Sequence, residues 1–198
     1  MTTPSSGESR VIECVFGSDE SRFYFPVGAL HPRDTARDRL DQCLYSLALE
    51  AMGEPRLSGT RSADDEVYRF LWLRSFDCPI AVRAERRTSG GTLTATALER
   101  QRGFDPGPIV FQKERAIAAV QWEELRSAVD AACFWTLDSH SEWEGLDGAR
   151  WVLEGVRAEH YHVAHRWSPR ADVDGALRAA CLWLLDVARI GLYAEPVY

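Results

Sequence analysis

Hydrophobic and polar residues alternate along several stretches of the chain, and short runs rich in glycine, serine or proline separate these stretches. An alternation of period two that is bounded by turn residues predicts β-strands paired as hairpins. The strands predicted in this way cover residues 66–76, 79–86, 92–99, 149–156 and 160–167. A further hairpin is predicted near the start of the chain, from residues 10–16 and 22–27.

Three other segments repeat hydrophobic residues every three or four positions, which predicts helices over about 33–52, 119–136 and 172–190. In the first of them Asp38 and Asp41 lie off the hydrophobic stripe, and Gly53 with Pro55 ends the helix. The last helix begins near Asp172, a suitable N-cap residue.

The order of these elements favours an α+β fold, because hairpins dominate and single strands do not alternate with helices. We expect a mainly antiparallel sheet built from hairpins, with about three helices packed on one face. Residues 1–9 are polar and are expected to be a flexible N-terminus. Residues 10–198 are expected to form a single α+β domain, with 53–65 as an internal linker.

The net charge of −7 is unevenly distributed, because acidic residues outnumber basic ones mainly after residue 116. That distribution argues against nucleic-acid binding, which needs clustered positive charge, and fits another protein with a basic surface. The first residues lack the pattern of a signal peptide, and no apolar run has the ~20 residues that span a bilayer. The sequence therefore predicts a cytoplasmic protein with no membrane partner.

The five cysteines are Cys14, Cys43, Cys78, Cys133 and Cys181, and none of them form a Cys-x-x-Cys pair. This spacing supports neither a zinc ribbon nor a thioredoxin-type site. We therefore expect reduced thiols that pack as small hydrophobic side chains.

The predicted hairpin at 149–167 carries the histidines that are candidates for metal binding. His160 and His162 are two residues apart on one strand, so their side chains share a face. A zinc ion held by this pair needs a further ligand, for which His140 and the carboxylates of the preceding loop are available. The alternative is that both histidines face solvent. His165 has the parity of the buried residues and is predicted to be a hydrogen-bonded core histidine.

The acidic loop at 138–147 is the candidate partner-binding surface. It places Glu142, Glu144 and Asp147 around Trp143. Aromatic side chains anchor protein interfaces and charges steer association, so the loop suits docking onto a basic partner. The alternative is an ordinary solvated loop.

Two further features complete the candidate chemistry. Glu154 and Arg166 lie on the two strands of the third hairpin, and a cross-strand ion pair is predicted between them. The chain contains no G-x-S-x-G, Walker, Rossmann or H-E-x-x-H motif, so the sequence assigns no catalytic residue and no cofactor.

Residues 66–190 contain segments that read YRFLWLR, FW, GLDG, WVLEG, YHV and RWSP. Through these segments the chain resembles a family of small proteins of GC-rich Gram-negative bacteria. It implies an α+β fold and no particular activity.

Three functions follow as hypotheses. The first is a non-catalytic interaction module, in the manner of an immunity protein that neutralises a basic partner. The second is a metal-dependent hydrolase that uses His160 and His162. The third is a structural component of a larger assembly.

Overall fold

A computed structural model of the chain describes residues 6–17, 20–59, 65–100, 106–141, 143, 145 and 147–191. The helices are α1 (Ser6–Phe16), α2 (Thr35–Ala51), α3 (Ala119–Ala131) and α4 (Gly175–Ala188). The strands are β1 (Glu66–Arg74), β2 (Ile80–Arg87), β3 (Gly90–Leu98), β4 (Ile109–Ile117), β5 (Ala149–Arg157) and β6 (His160–Trp167). Two short 3₁₀ turns lie at Glu20–Arg22 and Phe134–Thr136.

The six strands form one antiparallel sheet in the order β4-β3-β2-β1-β5-β6. The predicted α+β class is therefore confirmed, and so are the five strands predicted from residue 66 onwards. Strand β4 has no counterpart among the predicted elements. It lies at the edge of the sheet with most of its residues exposed, so the sequence Gln-Lys-Glu-Arg at its centre carries no alternation.

The helices lie on both faces of the sheet, which corrects the expectation of helices on one face. Phe70 and Trp72 of β1 belong to the core formed with α3 and α4. Leu71, which lies between them in sequence, belongs to the core formed with α2. Successive side chains of a strand point to opposite faces, so β1 is covered on both sides.

The predicted first hairpin is wrong. Residues 10–16 belong to α1, and residues 22–27 form no strand. Val11 and Cys14, which are three residues apart, are buried while Ile12 and Phe16 are exposed, so the buried residues of this segment follow the spacing of one helix face. A short apolar run of this kind does not distinguish the two structures by its spacing alone.

A disulfide between Cys14 and Cys43 joins α1 to α2, with the Cα atoms 5.8 Å apart. This corrects the expectation that all the thiols are reduced. Arg39 strengthens the same contact, because its Nε donates to the carbonyl of Val15 at 2.6 Å. The guanidinium thus lies against the last turn of α1, where carbonyl groups lack helical N–H partners and a positive charge is favourable.

The described part of the expected linker, residues 53–59, is packed onto the sheet. Leu57 is fully buried against Val67 and Val156. The carbonyl of Pro55 accepts a hydrogen bond of 2.6 Å from the buried Arg69. Residues 60–64 of the expected linker and residues 1–5 of the expected flexible terminus lie outside the described residues. Within the described ranges, no helix has the length and apolar character needed to cross a bilayer.

Thiol counting tests the disulfide. We expect alkylation of the denatured, unreduced protein to label three cysteines, Cys78, Cys133 and Cys181, because only these are free. Mass spectrometry should recover Cys14 and Cys43 in one crosslinked peptide pair, and prior reduction should give five labelled cysteines. Five labelled cysteines without reduction would contradict the pairing. That result would instead favour the predicted cytoplasmic location, since disulfides are rare in the cytosol.

Candidate metal centre

The first turns of α2 bury polar side chains. Asp38, Asp41 and Tyr45 follow one another at intervals of three and four residues, so they line one side of the helix. The two carboxylates are 2% and 0% exposed, and Tyr45 is 1% exposed. Asp38 and Asp41 are indeed off the hydrophobic stripe, yet they face the protein interior. Buried charges are costly unless they are paired, so their partners define this region.

Asp38 folds the loop that precedes α2. Its carboxylate accepts hydrogen bonds from the backbone N–H groups of Gly28, Leu30 and His31 at 2.8–2.9 Å. Gly28 has a positive φ of 79°, a conformation that glycine adopts without strain. These bonds hold His31 over the first turns of α2, where its side chain is 5% exposed.

Asp41 holds the His31 ring. Its Oδ2 atom is 2.8 Å from Nε2 of His31 and 3.0 Å from the Tyr45 hydroxyl. Burial raises the pKa of Asp41, but the hydrogen bond from His31 and the positive charge of Arg150 outweigh burial and hold the pKa below its ordinary value. Asp41 is therefore a carboxylate that orients an imidazole, an arrangement found around protein-bound metals.

His165 extends from the sheet toward Tyr45 and Asp41. It lies on β6 and is 3% exposed, in agreement with its predicted parity. Its Nε2 is 3.1 Å from the hydroxyl of Tyr45, and its Nδ1 is 3.4 Å from the carbonyl of Leu30. Burial lowers the pKa of His165 to about 3, against the opposing charge of Asp41, so the ring is neutral at physiological pH. A neutral imidazole is the form that binds metals.

His140 completes a cluster of three imidazoles. It pairs with His165 through an isolated parallel bridge, and the N–H of His165 donates to the carbonyl of Ser139 at 2.6 Å. The ring centroid of His31 lies 4.3 Å from that of His140 and 5.1 Å from that of His165. One ring nitrogen from each histidine lies within 4.8 Å of the other two. Zn–N bonds of about 2.1 Å place tetrahedral ligands about 3.4 Å apart, so side-chain movements of roughly 1 Å close the site.

Arg166 fixes the segment that carries His140. Its Nη2 donates to the carbonyl of Asp138 at 2.9 Å, and its Nε lies 3.2 Å from Oδ1 of Asp174. The predicted ion pair between Arg166 and Glu154 is therefore wrong. Glu154 instead accepts from Nε of Arg69 at 2.8 Å. Arg166 and Glu154 lie on opposite faces of the sheet, because Arg166 is opposite Trp151 in the register and Glu154 is opposite Val163.

A cleft of 690 Å³ opens beside the cluster. His31 and His140 line it, together with polar side chains that include Arg33, Asp138 and Ser141. A metal ion held by the three imidazoles would thus lie at the wall of a space large enough for a small molecule.

The predicted pair His160 and His162 does share a face of β6, around a shallow cavity of 420 Å³ that Trp135 also lines. His160 is exposed, while the ring of His162 packs edge-on against Phe134 at 5.0 Å. Burial lowers the pKa of His162. The side chains of His160 and His162 point away from the face that carries His165, and the described residues supply this pair with no third ligand. Of the three predicted candidates, only His140 joins the cluster of three imidazoles.

The predicted partner-binding loop is only partly described. Trp143 is 61% exposed and Asp147 is also exposed, while Glu142 and Glu144 lie outside the described residues. Gly145 lies against the indole of Trp167, where an added Cβ would come within 2.6 Å of Nε1. This close approach requires glycine and places the loop beside the end of β6.

Sequence patterns do not single out His31. It lies in an irregular loop, 109 residues before His140 in the chain, so no spacing links the two. The available signal is the cluster of acidic residues that immediately follows it, in which Asp34 caps α2 and Asp38 binds the loop.

Comparison with known proteins does not identify the chain. No protein-family model matches it, and no curated protein is significantly similar to it in sequence. The resemblance to a bacterial family therefore stays a prediction, and function has to be argued from the site.

The loop-holding role of Asp38 is testable by unfolding in urea. Replacing Asp38 with alanine removes the acceptor of three backbone N–H groups. We expect the free energy of unfolding to fall by about 3 kcal/mol, because buried donors left without acceptors cost ~1–3 kcal/mol each. Asp34→Ala is the matched control, since it removes an exposed helix cap worth about 1 kcal/mol. Equal losses in the two variants would contradict this role.

Proposed function

We propose that this protein is a metal-dependent hydrolase whose metal ion is bound by His31, His140 and His165. The observation that supports the proposal is the approach of one ring nitrogen from each histidine to within 4.8 Å of the others, at the wall of the cleft. Three protein ligands with one position left for water or substrate characterise catalytic zinc sites, whereas structural zinc sites use four protein ligands.

The surroundings of the cluster support a metal ion better than a purely structural role. The His31 ring is anchored by a carboxylate, and burial keeps His165 neutral. Imidazole nitrogen suits zinc and its neighbours in the first transition series, and an anchored ring loses little freedom on binding.

The cleft fits hydrolytic chemistry. Zinc bound by three histidines lowers the pKa of a bound water to near neutrality. Arg33, Asp138 and Ser141 line the same cleft and provide hydrogen-bonding groups for a polar substrate. Asp41 orients His31, and Arg166 holds the segment of His140, so these two ligands each have their own support.

Zinc titration of the chelator-treated protein tests the proposal. We expect one zinc ion per chain by calorimetry, and a loss of affinity of at least 100-fold in His140→Ala, because one of three ligands is removed. His140 is only half-buried, so this variant should fold. His162→Ala is the matched control and should bind zinc like the wild type. The zinc-loaded protein should hydrolyse p-nitrophenyl acetate faster than the His140→Ala variant does.

Each part of the proposal has a contrary result. Wild-type protein that binds no stoichiometric zinc would contradict the metal centre. Loss of zinc in His162→Ala but not in His140→Ala would return the metal to the pair of His160 and His162. Stoichiometric zinc without any zinc-dependent ester hydrolysis would contradict the hydrolytic chemistry.

A second function, protein binding through the acidic loop, is favoured by the exposure of Trp143. An indole that is 61% exposed, with Asp147 exposed nearby, has the character of an interface anchor surrounded by charge. The partner we propose is a protein with a basic surface, as expected for an immunity-type neutraliser.

Trp143→Ala combined with Glu142→Arg tests this second function. We expect the double variant to lose at least 90% of a stoichiometric partner in quantitative affinity purification from native cells, because the anchor is removed and the charge is reversed. Val173→Ala, at another exposed apolar residue, is the control and should retain the partner. Identical partner recovery from both variants, or no stoichiometric partner with the wild type, would contradict docking through this loop.

A further inference from the structure

The hydroxyl of Tyr45 lies between two groups of the candidate metal centre. It is 3.0 Å from Oδ2 of Asp41 and 3.1 Å from Nε2 of His165. A phenol has one proton to donate, and an ionised carboxylate only accepts. Tyr45 therefore donates to Asp41 and presents a lone pair to His165.

This direction fixes the proton on the His165 ring. Nε2 of His165 faces an acceptor and must carry the N–H, and since a neutral imidazole has one N–H, Nδ1 carries the lone pair. The competing partner is the carbonyl of Leu30, which would prefer an N–H on Nδ1. That contact is 3.4 Å long, against 3.1 Å for the contact with Tyr45, so the hydroxyl is the stronger partner.

The same carboxylate fixes the His31 ring. Nε2 of His31 lies 2.8 Å from Oδ2 of Asp41, and because that oxygen only accepts, Nε2 of His31 also carries the proton. Asp41 thus receives two donors on one oxygen, one from His31 directly and one from Tyr45, which in turn receives the N–H of His165.

We propose that Tyr45 and Asp41 are positioning residues that direct the Nδ1 lone pairs of His31 and His165 to a shared metal ion. The inference rests on the proposed metal centre. Nδ1 of His165 lies 3.4 Å from the carbonyl oxygen of Leu30, the residue next to His31, and a metal ion bound at Nδ1 would replace this contact. Partners of this kind set the tautomer and the orientation of metal-binding histidines, and their loss lowers metal affinity 10–100-fold.

Nitrogen NMR of the ¹⁵N-labelled, metal-free protein reads the tautomers before any metal is added. We expect Nε2–H on both His31 and His165 in the wild type. In Tyr45→Phe the acceptor is gone and the Leu30 carbonyl remains, so the His165 proton should move to Nδ1 while His31 keeps its tautomer. The zinc affinity of this variant, measured by calorimetry, should fall 10–100-fold.

Tyr161→Phe is the matched control. It also removes a largely buried tyrosine hydroxyl on the α2 face of the sheet, but that hydroxyl donates to Glu154 at 2.9 Å, away from the histidines. We expect wild-type tautomers and wild-type zinc affinity in this variant, so a general effect of losing a hydroxyl is separated from positioning.

Three results would count against these conclusions in different ways. Nδ1–H on His165 in the metal-free wild type would overturn the positioning network. Zinc affinity in Tyr45→Phe equal to that of the wild type would overturn its role in metal binding. Wild-type protein with both Nε2–H tautomers but no zinc binding would instead overturn the proposed metal centre.

Discussion

The compensation of two buried carboxylates on α2 is the constraint on which the candidate site depends. Asp38 and Asp41 are almost inaccessible to water, so each needs donors from the protein. Asp38 obtains them from the backbone of the 28–31 loop, and Asp41 obtains them from His31 and Tyr45. The hydrogen bonds that stabilise the helix in this position therefore also hold the His31 ring beside the sheet and orient the His165 ring. The contacts that stabilise this part of the fold are thus the contacts that arrange the candidate metal centre.

The two faces of the sheet differ in what they bury. The face under α3 and α4 is a core of aromatic and aliphatic side chains. The face under α2 also contains the ion pair of Arg69 with Glu154, in which both side chains are fully buried. Burial lowers the pKa of Arg69, but the charges of Glu154 and Glu54 outweigh it and raise the pKa, so the guanidinium stays charged. The α2 face thus combines a buried ion pair with apolar packing, while the core under α3 and α4 provides hydrophobic stability.

The sequence predicts local structure better than it predicts what the chain brings together. Strands β1, β2, β3, β5 and β6 were recognisable because alternation and turn residues mark them. The first hairpin was wrong because a seven-residue segment of mixed apolar and polar residues fits a helix equally well, and β4 carried no signal because its edge position leaves its centre polar. For the site, parity correctly placed His165 in the interior, but spacing favoured His160 and His162. The ring that meets His165 from the α2 side is His31, whose position is set by the contacts of Asp38 with its loop and not by any periodic pattern.

We propose that three imidazoles from separate parts of the chain share one metal ion. X-ray absorption at the zinc edge of the zinc-loaded protein distinguishes this coordination from others, because it counts and identifies the ligand atoms. We expect three imidazole nitrogens at about 2.0–2.1 Å and one further light atom from water. Sulfur scatterers at about 2.3 Å, or a shell of oxygens with fewer than two imidazoles, would contradict it.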